Sequence, residues 1–291
     1  MQINISNKGN YPTHLKVLVG GFAGSGKTTF ASTFPHPFFV TCHAGVSTLA
    51  KHPGIPYMEV EAETDLFTIK QFLDNPEAQV ETLGYEIETL VIDSIDDLQR
   101  RLLVQRMKAD NRTETKIEDW GWLGTRMNAI FKALYSLPMN LVITCRTNPE
   151  TTNLMLQGAF AEQVHNYVDY ALWSSWHTDW DNLSEIDRID MDAYLEGDKL
   201  EFPKLDSSPR TWVLCSETTA WTHSNAADLP SEISADYWTL WDLHVEALEN
   251  IPDLDEDFVN TFASTVVDYD NAKSILDEVF KELSDLEGPE S

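Results

Sequence analysis

The chain has 291 residues, 42% of them apolar and nine of them tryptophan, which suffices for one large domain or two small ones with a sizeable core. Its formal charge of −28 favours solubility and repels polyanions at long range, and no apolar run approaches the roughly 20 residues that cross a bilayer. Three scattered cysteines, Cys42, Cys145 and Cys215, form no CxxC pair, which argues against a zinc site and a disulfide framework and for buried thiols in a reducing compartment. Met1-Gln2-Ile3-Asn4 lacks the basic-then-apolar layout of a signal peptide, so a cytoplasmic location without a membrane partner is expected.

In chain order, the segment 15–20 reads as a buried strand ending in glycines, and 37–42 as a second strand. A third is expected at 56–60 and a helix at 64–75, stopped by Pro76. Thr89-Leu90-Val91-Ile92-Asp93 is a short apolar strand ending in a carboxylate. Helical period continues over 95–110 and 122–137, and 141–145 is another buried strand leading into a polar loop at 146–152. Strands follow at 167–176 and 211–215, separated by an acidic, turn-rich excursion at 179–208. Helices are expected at 237–248, 255–267 and 271–286. Alternating strands and helices imply an α/β fold with a mainly parallel sheet flanked by helices. Residues 227–291 hold 18 Asp and Glu against Lys273 and Lys281, a net −16, so a boundary is expected at 226, with an acidic helical extension beyond it.

The strongest local signal is Gly21-Phe22-Ala23-Gly24-Ser25-Gly26-Lys27-Thr28, a full G-x-x-x-x-G-K-[ST] loop between a strand and a helix. Glycines let the backbone curl so that successive N–H groups point at phosphate oxygens, and the following helix adds its positive end. Lys27 is expected to reach the β and γ phosphates of ATP, Thr28 to ligate Mg²⁺, and Thr29 to complete the nucleotide-binding set. Mg²⁺ also needs a carboxylate at the end of a neighbouring strand, and Asp93 fits. The competing reading makes Asp93 the cap of the helix that starts at Ile95.

These elements resemble the RecA-like ATPases, specifically the compact RecA-like NTPases of bacteriophages that act in recombination and strand annealing. The likeness rests on the loop, on Asp93-Ser94 and on the strand 141–145 with a polar residue beyond it, and it covers roughly 15–221. It implies a RecA-like P-loop fold, ATP hydrolysis and self-assembly into a homo-oligomer. It further implies work on single-stranded DNA with a single-strand-binding or other recombination protein, in the bacterial host cytoplasm. Two positions depart from the family. His43 stands where a water-orienting glutamate is expected, which weakens the electrostatics of hydrolysis and leaves Asp97 as an alternative. Arg146 stands where the family often has Gln or His; it reads either as a sensor or finger toward a γ-phosphate or as a solvated loop residue.

Cations gather after Asp93: Arg100, Arg101, Arg106, Lys108, Arg112, Lys116 and Arg126, with Trp120 and Trp122 among them. Cations interleaved with aromatics suit single strands, and the resemblance places this region beside a DNA channel. Arginines paired with the abundant acids, and tryptophans in a core, explain the same residues equally well. The acidic C-terminal part then reads as a DNA mimic or as a docking segment for a basic partner. A nucleotide-dependent switch or scaffold with little hydrolysis is the alternative function. A small-molecule P-loop kinase lacks an Arg-rich lid pattern here, and a GTPase lacks its N-K-x-D element.

Overall fold

Along Lys16–Gly21 (β1) all six residues are buried, and successive side chains enter opposite cores. Leu18 joins one apolar cluster, and Val17 and Val19 join the other. A strand buried on both faces cannot alternate apolar and polar residues, which is why it reads as a continuous apolar run. The computed structural model describes residues 14–42, 49–50, 52–178, 210–217, 219, 221–224 and 228–249. The expected excursion at 179–208, the helices at 255–267 and 271–286, and His43 lie outside these residues.

After β1 come a short helix Lys27–Ala31 (α1), Pro37–Thr41 (β2), Tyr57–Glu59 (β3), and helices Glu63–Leu73 (α2) and Pro76–Leu83 (α3). Thr89–Asp93 (β4), helices Ile95–Ala109 (α4) and Ile117–Tyr135 (α5), Asn140–Arg146 (β5) and a short helix Ala159–Gln163 (α6) follow. The sheet is completed by Tyr170–Thr178 (β6), Arg210–Cys215 (β7), His223–Ser224 (β8) and Glu232–Ser234 (β9), before helix Tyr237–Glu249 (α7). The order across the sheet is β3-β2-β4-β5-β1-β6-β7-β9, with β8 also on β6. All pairs from β3 to β6 are parallel, and β7, β8 and β9 join antiparallel. The loop-bearing strand β1 is therefore central, with β5 between it and β4.

One core lies between the sheet and α2, α4 and α5; the other lies between the sheet, α1 and α7. Phe131 on α5 is 1% exposed and meets Phe160 and Tyr167 edge-on or tilted at 5.7 and 5.4 Å. Among the described residues no helix is long and apolar enough to cross a membrane.

The expected helices need one correction and one addition. The helix expected to begin at 122 begins at Ile117, because the Asp119 carboxylate turns back to accept the Lys116 N–H at 2.8 Å and closes the first turn. Past Pro76 the chain starts a new helix, α3: Asn75 caps it through the Ala78 N–H, Pro76 occupies the first turn, and Gly84 ends it at φ 84°. Strands on both sides of the boundary expected at 226 belong to the same sheet. One compact unit runs Pro12–Ala247, since β9 pairs with β7 and α7 buries Tyr237 and Leu240 against the sheet.

Phe131→Ala is expected to lower stability by about 3–5 kcal/mol in urea unfolding, whereas Ile117→Ser, at a 92%-exposed position, should stay within about 0.5 kcal/mol.

Candidate active site

The loop that follows β1 is shaped by its glycines. Gly26, just ahead of α1, sits at φ +90°, and a Cβ there would lie 2.6 Å from Cε3 of Trp212 on β7. Any other residue would meet both a backbone penalty and a ring. At Gly21 a Cβ would come within 2.5 Å of the Ser25 hydroxyl and 2.7 Å of the Ser174 carbonyl, so β1 leaves the sheet with β6 in close contact. Ser174 in turn donates its hydroxyl to the Ser25 carbonyl, fastening the loop to β6.

Lys27 folds over the loop it belongs to. Its ammonium donates to the carbonyls of Gly21 at 2.9 Å and Phe22 at 2.7 Å. Burial pulls its pKa below the ordinary 10.5, opposed chiefly by the negative charge of Asp93. Thr28, the next residue, points toward β4: its hydroxyl donates to Asp93 Oδ2 at 2.8 Å. The other oxygen, Oδ1, accepts from the hydroxyl of Thr144 on β5. Asp93 therefore spends both oxygens on neighbouring hydroxyls, and the residue that stands at the N-terminus of α4 as its cap is Ser94.

Period-two alternation explains why these groups meet. Phe39, Val91 and Val142 face the α1 side of the sheet, so Thr41, Asp93 and Thr144, each two residues further along its strand, face it too. All three strands are parallel, so all three side chains emerge at the same end, beside Thr28. Thr41 lies directly across from Asp93 in register. Its hydroxyl is fully buried and has no hydrogen-bond partner among the described residues. A hydroxyl, a carboxylate and a further free hydroxyl suit a hard cation that keeps much of its water shell, as Mg²⁺ does. Among the described residues no cluster of three His, Cys, Asp or Glu that could hold a metal ion is found.

Arg146, at the end of β5, is committed to α4. Its Nε donates to Asp96 Oδ2 and its Nη2 to Asp97 Oδ1, both at 2.7 Å, while its backbone N–H also meets Asp96. Burial disfavours its charge, and the hydrogen bond it donates to Asp96 and the nearby carboxylates more than offset that, raising its pKa. In this arrangement Arg146 ties two buried carboxylates together. Asp97 is held in the same network. Its oxygens already receive Ser94, Arg100 and Arg146, so a water molecule would compete with two guanidinium groups for them.

The cation-rich stretch is also mostly paired. Arg112 grips Asp119 through two bonds of 2.7 Å and reaches Asp110 at 2.8 Å, holding the Asp119 carboxyl well below the usual carboxylate range. Arg100 pairs with Asp97, Arg126 with Glu63, and Lys116 with Glu118 at 3.5 Å. Arg106 lies within 4 Å of Asp110 and Asp119 and over the Trp122 ring at 5.6 Å. Trp120 and Trp122 pack against the α4–α5 core. The expected cationic track is thus largely a set of internal ion pairs. Among the described residues, Arg101 and Lys108 have no carboxylate at ion-pair distance.

Sequence reasoning passed over Thr144, Ser174, Thr41 and Trp212. A hydroxyl residue near the end of an apolar strand, as in Leu141-Val142-Ile143-Thr144, is the signal that could have raised Thr144. No local signal marks Trp212, whose contact with Gly26 joins residues far apart in the chain.

Over residues 13–169, more than half its length, the chain matches a family described as an AAA domain. Comparison with curated protein sequences finds no match. Among solved structures the chain is similar to a KaiC-like protein from the hyperthermophilic archaeon Pyrococcus horikoshii OT3, at 16% identity over 71% of this chain and 88% of that one, with a TM-score of 0.33. It is also similar to the flagellar accessory protein FlaH of Methanocaldococcus jannaschii, at 10% identity over 78% and 87% of the two chains, with a TM-score of 0.36.

Arg146→Ala leaves the buried carboxylates of Asp96 and Asp97 without their shared counter-charge, and should cost about 3 kcal/mol in chemical unfolding. Anion binding at the loop needs the Lys27 ammonium. Affinity for a polyphosphate should therefore begin to fall with rising pH before the ordinary lysine value of 10.5 is reached, and titration from neutral pH upward would show it.

Proposed function

The chain belongs to the AAA domain family and carries a RecA-like P-loop NTPase fold, and from this we propose that it binds ATP with Mg²⁺ on the loop 21–28 and hydrolyses it. The observation that supports the reading is the 2.8 Å bond between Thr28 Oγ1 and Asp93 Oδ2, which brings together the two residues that would share Mg²⁺. The loop amides and Lys27 hold the phosphates, and Lys27 must leave the carbonyls of Gly21 and Phe22 to do so. Thr28 and Asp93 would hold Mg²⁺, which when bound neutralises charge on the β and γ oxygens. Thr144 fixes the rotation of the Asp93 carboxylate, and Thr41 offers a hydroxyl to the cation's water shell. With Asp97 engaged by two arginines, the water-orienting role falls to His43, a weaker choice than a carboxylate, so turnover should be slow.

The wider role in this reading is the one the sequence resemblance implies: a cytoplasmic, homo-oligomeric ATPase of phage DNA recombination, annealing or replication. Its contact with single-stranded DNA would be narrow, built around Arg101 and Lys108 rather than around the full basic stretch. A nucleotide switch with little hydrolysis is the second reading, favoured by the neutralised surroundings of Asp97.

ATP hydrolysis with and without single-stranded DNA, alongside mass by light scattering, separates these. Slow turnover that DNA accelerates supports the proposal, and Lys27→Ala should reduce it to background. Tight ATP binding without turnover would replace hydrolysis with the switch. Phosphate transfer to a nucleoside would make the protein a kinase.

A further inference from the structure

The phosphate site has two sides. Thr28 and Asp93, which would hold the metal and with it the β and γ phosphates, lie on the side of β1 that carries β5 and β4. The nucleoside end of the same ligand must leave the loop elsewhere, and on the other side of β1 stand β6 and β7. On β6, Ser174 bonds the loop carbonyl of Ser25, so its side chain faces the loop. Trp176, two residues on, shares that face, and Trp212 on β7 lies directly opposite Trp176 in register. The Trp212 ring then reaches the loop itself, in the space a side chain at Gly26 would need.

Trp212, like Trp176 opposite it, differs from Trp173 and Trp221 in its burial. Trp173 and Trp221 are 6% exposed and serve as core. Trp212 stays half-buried on a face whose other positions, Leu172 and Leu214, are fully buried. Its indole N–H donates to no other described residue, whereas that of Trp221 reaches the Thr152 carbonyl. A large π surface with a donor that no other described residue takes up, held at the rim of a phosphate loop, is the chemistry that receives a planar heterocycle.

We infer that Trp212, carried beside Trp176, is the stacking platform for the nucleobase of the bound nucleotide. The inference rests on reading the loop as an ATP site and adds the part of the ligand that the loop motif does not address. Stacking reads a π face rather than a hydrogen-bond edge. Purine triphosphates should therefore bind better than pyrimidine ones, and ATP and GTP should differ little.

The test is calorimetry of the full chain with Mg²⁺, using ATP and inorganic tripolyphosphate in parallel. Trp212→Ala and Trp212→Leu should each weaken ATP by about tenfold while leaving tripolyphosphate within about twofold, and Trp212→Phe should keep ATP within about threefold. Equal losses for both ligands would make Trp212 a mere support of the loop and overturn the inference, as would unchanged ATP affinity in Trp212→Ala. A wild-type chain that binds tripolyphosphate as tightly as ATP would do the same while sparing the phosphate site. A chain that takes up neither ligand would sink the nucleotide reading itself.

Discussion

The hydrogen bond from Thr28 to Asp93 ties a helix start to a strand end across 65 residues of chain, and the arrangement around it follows from making that bond possible. It requires β1 and β4 to be parallel, so that both C-terminal ends open on one side of the sheet. It requires the strand between them, β5, to present a short hydroxyl rather than a bulky side chain at the level of Asp93, and Thr144 does so. It also requires the odd-numbered positions of β4 to face α1, so a one-residue slip in register would turn Asp93 into the opposite core. The apolar side chains on both faces make such a slip costly, because it would exchange the buried sets of the two cores.

Charge is managed locally rather than globally. A chain with a formal charge of −28 surrounds its few cations with acids, and the arginines of α4 and α5 are largely consumed by this. The same economy operates at the site. Arg146 neutralises Asp96 and Asp97 within the fold, so the negative charges nearest the loop repel an incoming triphosphate less than their number suggests. Lys27 and the loop amides are then left to define where an anion sits.

The parts of the site that were legible in the sequence are those built from contiguous residues. A loop that must aim successive amides at a phosphate has to spell itself out in order, and an apolar strand that ends in a carboxylate is visible as a pattern. What stayed hidden depends on long-range partners. Nothing local tells that Arg146 will find Asp96, 50 residues earlier, or that Asp93 will take its second bond from Thr144. The cation-rich stretch shows the same limit: charge can be counted along a chain, but the pairing of Arg112 with Asp119 is settled only when the turn between α4 and α5 brings them together. The acid run beginning near 227 suggested a boundary, yet β9 needs only Ile233 to bury, and the flanking Glu232 and Ser234 face outward at no cost.

The last described helix bears on the first. At five residues, α1 is far below the length at which a helix holds by itself, and it carries both Lys27 and Thr28. Part of its support comes from α7: the Tyr237 N–H bonds the Thr33 hydroxyl at 2.9 Å, and the Tyr237 ring lies 4.9 Å from that of Phe34. The piece that grips phosphate is therefore buttressed by sequence some 200 residues downstream. Cutting the chain where its acidity begins would remove that buttress, and with it the fixed geometry of the loop, even though every residue of the motif would remain.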